Sequence, residues 1–216
     1  FYKWLANTGW DEAQALKEAA GDKGSKVHAA ITDLIDDHTI QMEDAYVNPS
    51  TGVPEPLTLE EYQAILSFAR WFEATKPTTI ARDLTVWNEQ EHYAGTVDYL
   101  YMIQDDPFLH LDDFKTSKAV WPSHRCQVSA YKHTQEVEAL VARLGLKGVT
   151  LGILQLGYAR NKLGYKPTEI KDCFDLFLAA KRIWQEETAG QVPSQKDYPV
   201  SITLAASATA LASSSG

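Results

Sequence analysis

Residues 92–118, "HYAGTVDYLYMIQDDPFLHLDDFKTSK", decide how this 216-residue chain is read. The runs "TVDYLYMI" and "FLHL" are rich in aromatic and β-branched residues, and "QDDP" between them has turn composition, so the stretch predicts a β-hairpin. Yet it carries Asp98, Asp112, Asp113, Lys115 and Lys118, and strands are depleted in such residues because charge prefers water to a half-buried pleated surface. Residues two apart in a strand share a face. Asp113 and Lys115 therefore point one way, and Asp112 and Phe114 the other. The turn brings Asp98, on the preceding strand, beside Asp113. Two carboxylates on one face repel and raise each other's pKa unless a cation sits between them. A hard divalent ion such as Mg²⁺ takes carboxylate oxygens and suits that position. Lys115, one side chain along, is then placed to stabilise a metal-activated hydroxide or the charge on an attacked phosphate. The plainer alternative is a solvated ion-pair cluster on an exposed face. The strongly apolar flanks favour central strands, where charge calls for a function.

Working outward, "DEAQALKEAA" (11–20) has helix-forming composition. The next segment places Val27, Ile31, Leu34 and Ile35 at helical spacing. A loop holding Asn48, Pro49, Gly52, Pro54 and Pro56 follows. Thr58, with Glu61 three residues on, is a capping box opening a helix whose stripe is Leu59, Tyr62, Ile65, Leu66, Ala69 and Phe72. "TIARDLTVW" adds a strand to the hairpin and makes a three-strand meander. Pro122 and Ser123 start a long helix with Val137, Leu140, Val141 and Leu144 on its apolar side. "GVTLGILQLGYA" returns to strand, "RNKLG" turns, and 168–188 reads as a final amphipathic helix. The order of elements predicts an α/β fold, a central mixed sheet flanked by helices. We expect a single domain over 1–200 and a small, polar, mobile tail over 201–216.

The apolar fraction of 44% is enough for a sizeable core. The net charge of −9 gives no global pull toward phosphates, so a nucleic-acid site has to be a local basic patch on an acidic body. Cys126 and Cys173 lie far apart in sequence and suit packed thiols in a reducing compartment. Two thiolates cannot hold a zinc or iron–sulfur site alone. No apolar run reaches the length of a membrane span and no export signal is visible, so nothing suggests export or a membrane span. Trp71, Phe72, Trp87, Trp121 and Trp184 read as core or rim rather than as base-stacking platforms.

Four short blocks occur in order: Gly24-Ser25-Lys26-Val27-His28, Gly95-Thr96-Val97-Asp98, Asp113-Phe114-Lys115-Thr116 and Gln127-Val128-Ser129-Ala130-Tyr131. Together they resemble the PD-(D/E)XK nuclease superfamily, in its RecB-like and phage-exonuclease branch, across about half the chain. The resemblance implies a restriction-endonuclease-like αβββαβ core. It implies metal ligation by His28, Asp98, Asp113 and the Phe114 carbonyl, with Asp98, Asp113 and Lys115 as the catalytic set. Gln127 and Tyr131, one helical turn apart, would touch DNA or order the site, with Thr116 and Lys118 as further substrate contacts. A further acid is common in the superfamily, and spacing does not choose among Asp83, Glu89 and Glu91. The four-cysteine cluster of some relatives cannot form here, so no iron–sulfur cluster is expected. The function implied is a Mg²⁺- or Mn²⁺-dependent deoxyribonuclease. It would be an exonuclease of phage or bacterial recombination and repair, acting on DNA in the cytoplasm of a bacterial or phage-infected cell, with a single-strand annealing protein as possible partner. An endonuclease of the same fold and a catalytically silent DNA-binding or scaffold module are the alternatives.

Overall fold

The computed structural model describes residues 10–191. The expected tail over 201–216 lies outside the described residues. The chain divides into a compact unit that runs to Lys181 and a second that starts at Arg182. Apart from the last turns of the final helix, everything below concerns the first.

Two helices precede the main sheet: α1 (Trp10–Ile35) and α2 (Leu59–Thr75). The two helical segments read at the N-terminal end are one continuous helix. Between α1 and α2 the Pro-rich loop folds into a small hairpin, β1 (Ala45–Val47) with β2 (Pro54–Pro56). Its turn is made by Asn48, whose side-chain oxygen accepts from Ser50 N at 2.9 Å. The capping box at Thr58 forms as expected: Glu61 N donates to Thr58 Oγ1 at 3.3 Å and Thr58 N donates to the Glu61 carboxylate at 2.7 Å.

The meander consists of β3 (Thr78–Asn88), β4 (Tyr93–Met102) and β5 (Phe108–Lys115). Two helices, α3 (Pro122–Lys132) and α4 (Gln135–Leu144), carry the chain over to β6 (Gly148–Tyr158), which pairs parallel with β5. A parallel neighbour needs such a crossover, and the helices supply it. The strand β7 (Gly164–Ile170) pairs antiparallel with β6, and α5 (Phe174–Glu187) follows. The five-stranded mixed sheet runs in the order β3-β4-β5-β6-β7.

Two expectations need correction. The helix read from Pro122 onward is broken after Lys132. Thr134 donates its hydroxyl to Tyr131 O at 2.8 Å, a local bond that competes with the helix ladder. Asp172 meanwhile holds Lys132 at 2.8 Å and His133 at 2.9 Å. Residues 168–170, read as the start of the last helix, belong to β7. This strand contains Pro167, which lacks a backbone donor and is tolerated because β7 lies at the sheet edge.

Side-chain alternation splits the core between the two faces of the sheet. Tyr99, Tyr101, Phe114, Leu154 and Leu156 pack with Val27, Ile31, Ile65 and Phe68 of α1 and α2. Val97, Leu100, Leu109, Leu111 and Ile153 pack with Val128, Tyr131 and Val137 of α3 and α4. The central strand β5 is thus covered on both sides, and its charged end is held by the layers above and below. Trp71 is buried, whereas Trp87 and Trp121 are exposed rim residues.

Candidate active site

The ladder between β4 and β5 ends where Tyr99 faces Asp112. Beyond that point the strands are joined by a side chain: the Asp98 carboxylate accepts Phe114 N–H at 2.7 Å. Asp98 of β4 and Asp113, Phe114 and Lys115 of β5 gather where this ladder ends.

His28 reaches the same point from α1. Its Nε2 lies 3.0 Å from the Phe114 carbonyl oxygen, and its Nδ1 lies 3.6 Å from Asp98 Oδ2. A carbonyl can only accept, so Nε2 carries the proton and, in the neutral ring, Nδ1 presents a lone pair toward Asp98. Burial lowers the His28 pKa, against an opposing pull from Asp113, which favours that neutral ring. The position of α1 is fixed just before His28. Lys26, buried to 4% exposure, binds Glu61 of the capping box at 3.0 Å and the Pro56 carbonyl at 3.3 Å. The Gly24–His28 block therefore does two jobs, anchoring α1 through Lys26 and presenting His28.

Asp113 is completely buried, and neither of its carboxylate oxygens has a hydrogen-bond partner. Lys115 Nζ lies 2.5 Å from Asp113 Oδ2. This short contact sets the lysine's charge against the buried carboxylate. Burial first, and the nearby Asp98 charge second, push the Asp113 pKa up to about 7. Burial likewise pushes Asp98 up to about 6, while the Phe114 N–H bond pulls it down. A buried polar atom without a partner is costly, and natural structures rarely leave one.

Asp112 goes the other way, as alternation requires. Its carboxylate accepts the Tyr101 hydroxyl at 3.1 Å and sits over Gly152, where an added Cβ would come within 2.0 Å of its Oδ1. Tyr131 packs over Gly95, where a Cβ would fall 2.4 Å from the ring, and Gln127 Nε2 donates to the Tyr131 hydroxyl at 2.8 Å. The two residues of the Gln127–Tyr131 block are therefore coupled. The charges of Asp113 and Asp98 act on Tyr131, behind the desolvation that chiefly raises its pKa.

Thr116 and Lys118 continue from β5 into a loop held from below by the buried Gln155, whose amide donates to Ser117 O at 2.9 Å. Of the three possible further acids, Asp83 acts on both His28 and Asp98, while Glu91 pairs with Lys181 at 3.3 Å. Asp83 has φ 46°, a left-handed conformation rare outside glycine, and it accepts Thr32 Oγ1 at 2.7 Å. Glu89 is exposed on the turn between β3 and β4. Sequence reasoning missed His124, on the first turn of α3, whose pKa falls to about 4 through burial and the charge of Lys115. Its only signal was a histidine just after Pro122.

Among the described residues, no group of three or more His, Cys, Asp or Glu side chains stands at metal-ligating distances. The donor chemistry nevertheless fits a hard divalent cation: two carboxylates, one carbonyl and one imidazole lone pair, with an unsatisfied buried carboxylate among them. Cys126 and Cys173 are free thiols, partly buried.

No protein-family model matches the chain, and no curated protein matches it.

Proposed function

We propose that the chain is a Mg²⁺- or Mn²⁺-dependent deoxyribonuclease on a PD-(D/E)XK-type core. The observation that carries this reading is Asp113: a fully buried carboxylate, crowded by Asp98 and in charge contact with Lys115, where the ladder between two central strands ends. Asp98, Asp113 and the Phe114 carbonyl would hold the cation, with His28 as the fourth donor. A bound divalent ion supplies a water activated at neutral pH and charge neutralisation at the phosphate.

The chain's own residues do the rest. Lys115, half-sheltered and held by Asp113, places a positive charge beside the reacting phosphate, where a low-dielectric site makes it worth more than in water. The neutral His28 ring keeps its proton on Nε2 through the Phe114 carbonyl and leaves Nδ1 free to donate its lone pair. Asp98 fixes the β5 backbone through Phe114 N–H and so holds the Phe114 carbonyl in place. Tyr131, steadied by Gln127, closes the face opposite α1.

An exonuclease serving recombination or repair is the form favoured by the sequence resemblance, with a single-strand annealing protein as its partner. The test is cleavage of end-labelled linear DNA and covalently closed circles with Mg²⁺ or Mn²⁺. Cutting of the linear substrate alone, lost in EDTA, is the expected result. Cutting of closed circles identifies an endonuclease. Binding of DNA without cutting in either metal identifies a silent module.

A further inference from the structure

Two adjoining clefts lie beyond Lys115, and the first begins at the loop that follows it. The first, about 360 Å³, is lined by Lys23 of α1, Glu60 and Gln63 of α2, Thr116–Lys118, and Leu156–Arg160 at the end of β6. The second, about 280 Å³, shares Gln63, Gly157, Tyr158 and Ala159 with it and continues to Arg70 and Lys162. Five cations therefore line one continuous furrow, with Glu60 as its single acid, on a chain whose net charge is −9. Glu60 is occupied by Lys23 at 2.5 Å. Among the described residues, Lys118, Arg160, Arg70 and Lys162 have no carboxylate within 4.0 Å, the span of an ion pair. A cationic track in an acidic protein is an electrostatic footprint for a polyanion, and backbone phosphates are the groups that such contacts position.

The furrow has a fixed starting point. Thr116 directly follows Lys115, and the buried Gln155 amide pins the loop at Ser117. The Gly157 backbone under the junction of the clefts is fixed as well, donating its N–H to the buried Ser67 hydroxyl at 3.0 Å.

We propose that this furrow, from Lys118 through Arg160 to Lys162 and Arg70, seats the sugar-phosphate backbone of the cut DNA strand on one side of the scissile bond. The assignment rests on the nuclease reading above and adds the path of the strand: away from β5 across the end of β6, over α2.

The test pairs a charge-deleting variant with a charge-deleted substrate. Arg160→Gln lies on an exposed turn outside the catalytic set, and Lys171→Gln removes the same charge from an exposed position outside the furrow. Both would be assayed with Mg²⁺ on oligonucleotides carrying one neutral methylphosphonate at successive positions around the cut. In the wild type, neutralising phosphates on one side of the cut should raise KM about five- to tenfold, with kcat within about twofold. Arg160→Gln should show that higher KM on ordinary DNA, lose its sensitivity to one methylphosphonate position, and lower the slope of log affinity against log salt by about one. Lys171→Gln should behave as wild type. Identical methylphosphonate profiles in wild type and Arg160→Gln overturn the furrow and leave the nuclease reading standing. A protein that cuts no DNA with either cation overturns both.

Discussion

Asp112 and Asp113 are adjacent, both buried, and both pushed upward in pKa by that burial, to about 6 and about 7. Their surroundings have nothing else in common. Asp112 faces α1 and α2, hydrogen-bonded by Tyr101 and seated in the hollow that Gly152 leaves. Asp113 faces α3, with no hydrogen-bond partner, a second carboxylate nearby and a lysine in charge contact. Folding has provided for the first and left the second unsatisfied. Burial alone therefore does not mark a working residue; an unmet demand for a cation does.

The largest expected effect lies in cleavage rates. Asp113→Asn and Lys115→Ala should each lower the single-turnover rate at least about a hundredfold, the scale of losing one preorganised charge at a reacting centre. Asp112→Asn should retain most of the wild-type rate, because Asn still accepts from Tyr101. A dead Asp112→Asn beside an active Asp113→Asn would move the site to the opposite face.

Stability should invert that ranking. Asp98 and Asp113 have folded-state pKa values raised above those of the unfolded chain, so folding favours their protonated forms. Their contribution is intact below about pH 4 and is lost as pH rises through about 6 to 7. In EDTA at pH 8 the buried Asp113 charge, only partly offset by Lys115, is at its most costly beside Asp98, and Asp113→Asn should raise Tm by at least about 2–4 °C, the shift expected of roughly 1 kcal/mol in a domain of this size. At pH 4.5 the gain should shrink toward zero. Thermal unfolding at the two pH values decides it. A variant less stable than wild type at pH 8 would mean that Asp113 is satisfied after all.

A smaller contrast comes from two glycines that hold the two faces apart. Gly152→Ala drives a methyl into Asp112, and overpacking of that kind costs about 1–3 kcal/mol. Gly95→Ala instead displaces the Tyr131 ring and with it Gln127. Denaturant unfolding should register the first substitution more than specific activity does, whereas the second should lower specific activity about tenfold or less. Equal losses of activity in both variants would blur the distinction between the faces.

The smallest effect concerns salt. With about four phosphate contacts along the furrow, the slope of log affinity against log salt on duplex DNA should lie between about −3 and −4. A slope close to −10 would require a basic surface far larger than the furrow.

The charged end of β5 was legible in the sequence because strand alternation is strictly two-residue, so Asp113 and Lys115 had to share a face. The mixed sheet flanked by helices, with four of its five strands, followed from the order of the elements. Four features were not legible. Pro167 and the charges of "YKPTEI" hide an edge strand, whose pairing is set by its neighbour rather than by its own composition. The break after Lys132 depends on Asp172, forty residues away. The choice among Asp83, Glu89 and Glu91 depends on tertiary placement, which spacing does not encode. The furrow was equally invisible, because Lys23, Arg70, Lys118, Arg160 and Lys162 come from distant segments.

The most direct measurement is Mn²⁺ titration by calorimetry on the wild type, Asp113→Asn, Asp112→Asn and Lys115→Ala, with cleavage followed in the same samples. Wild type and Asp112→Asn should bind and cut, Lys115→Ala should bind without cutting because lysine offers no ligand oxygen, and Asp113→Asn should do neither. Undiminished Mn²⁺ binding by Asp113→Asn, or full cleavage by wild type in EDTA, would contradict a metal-dependent site built around Asp113.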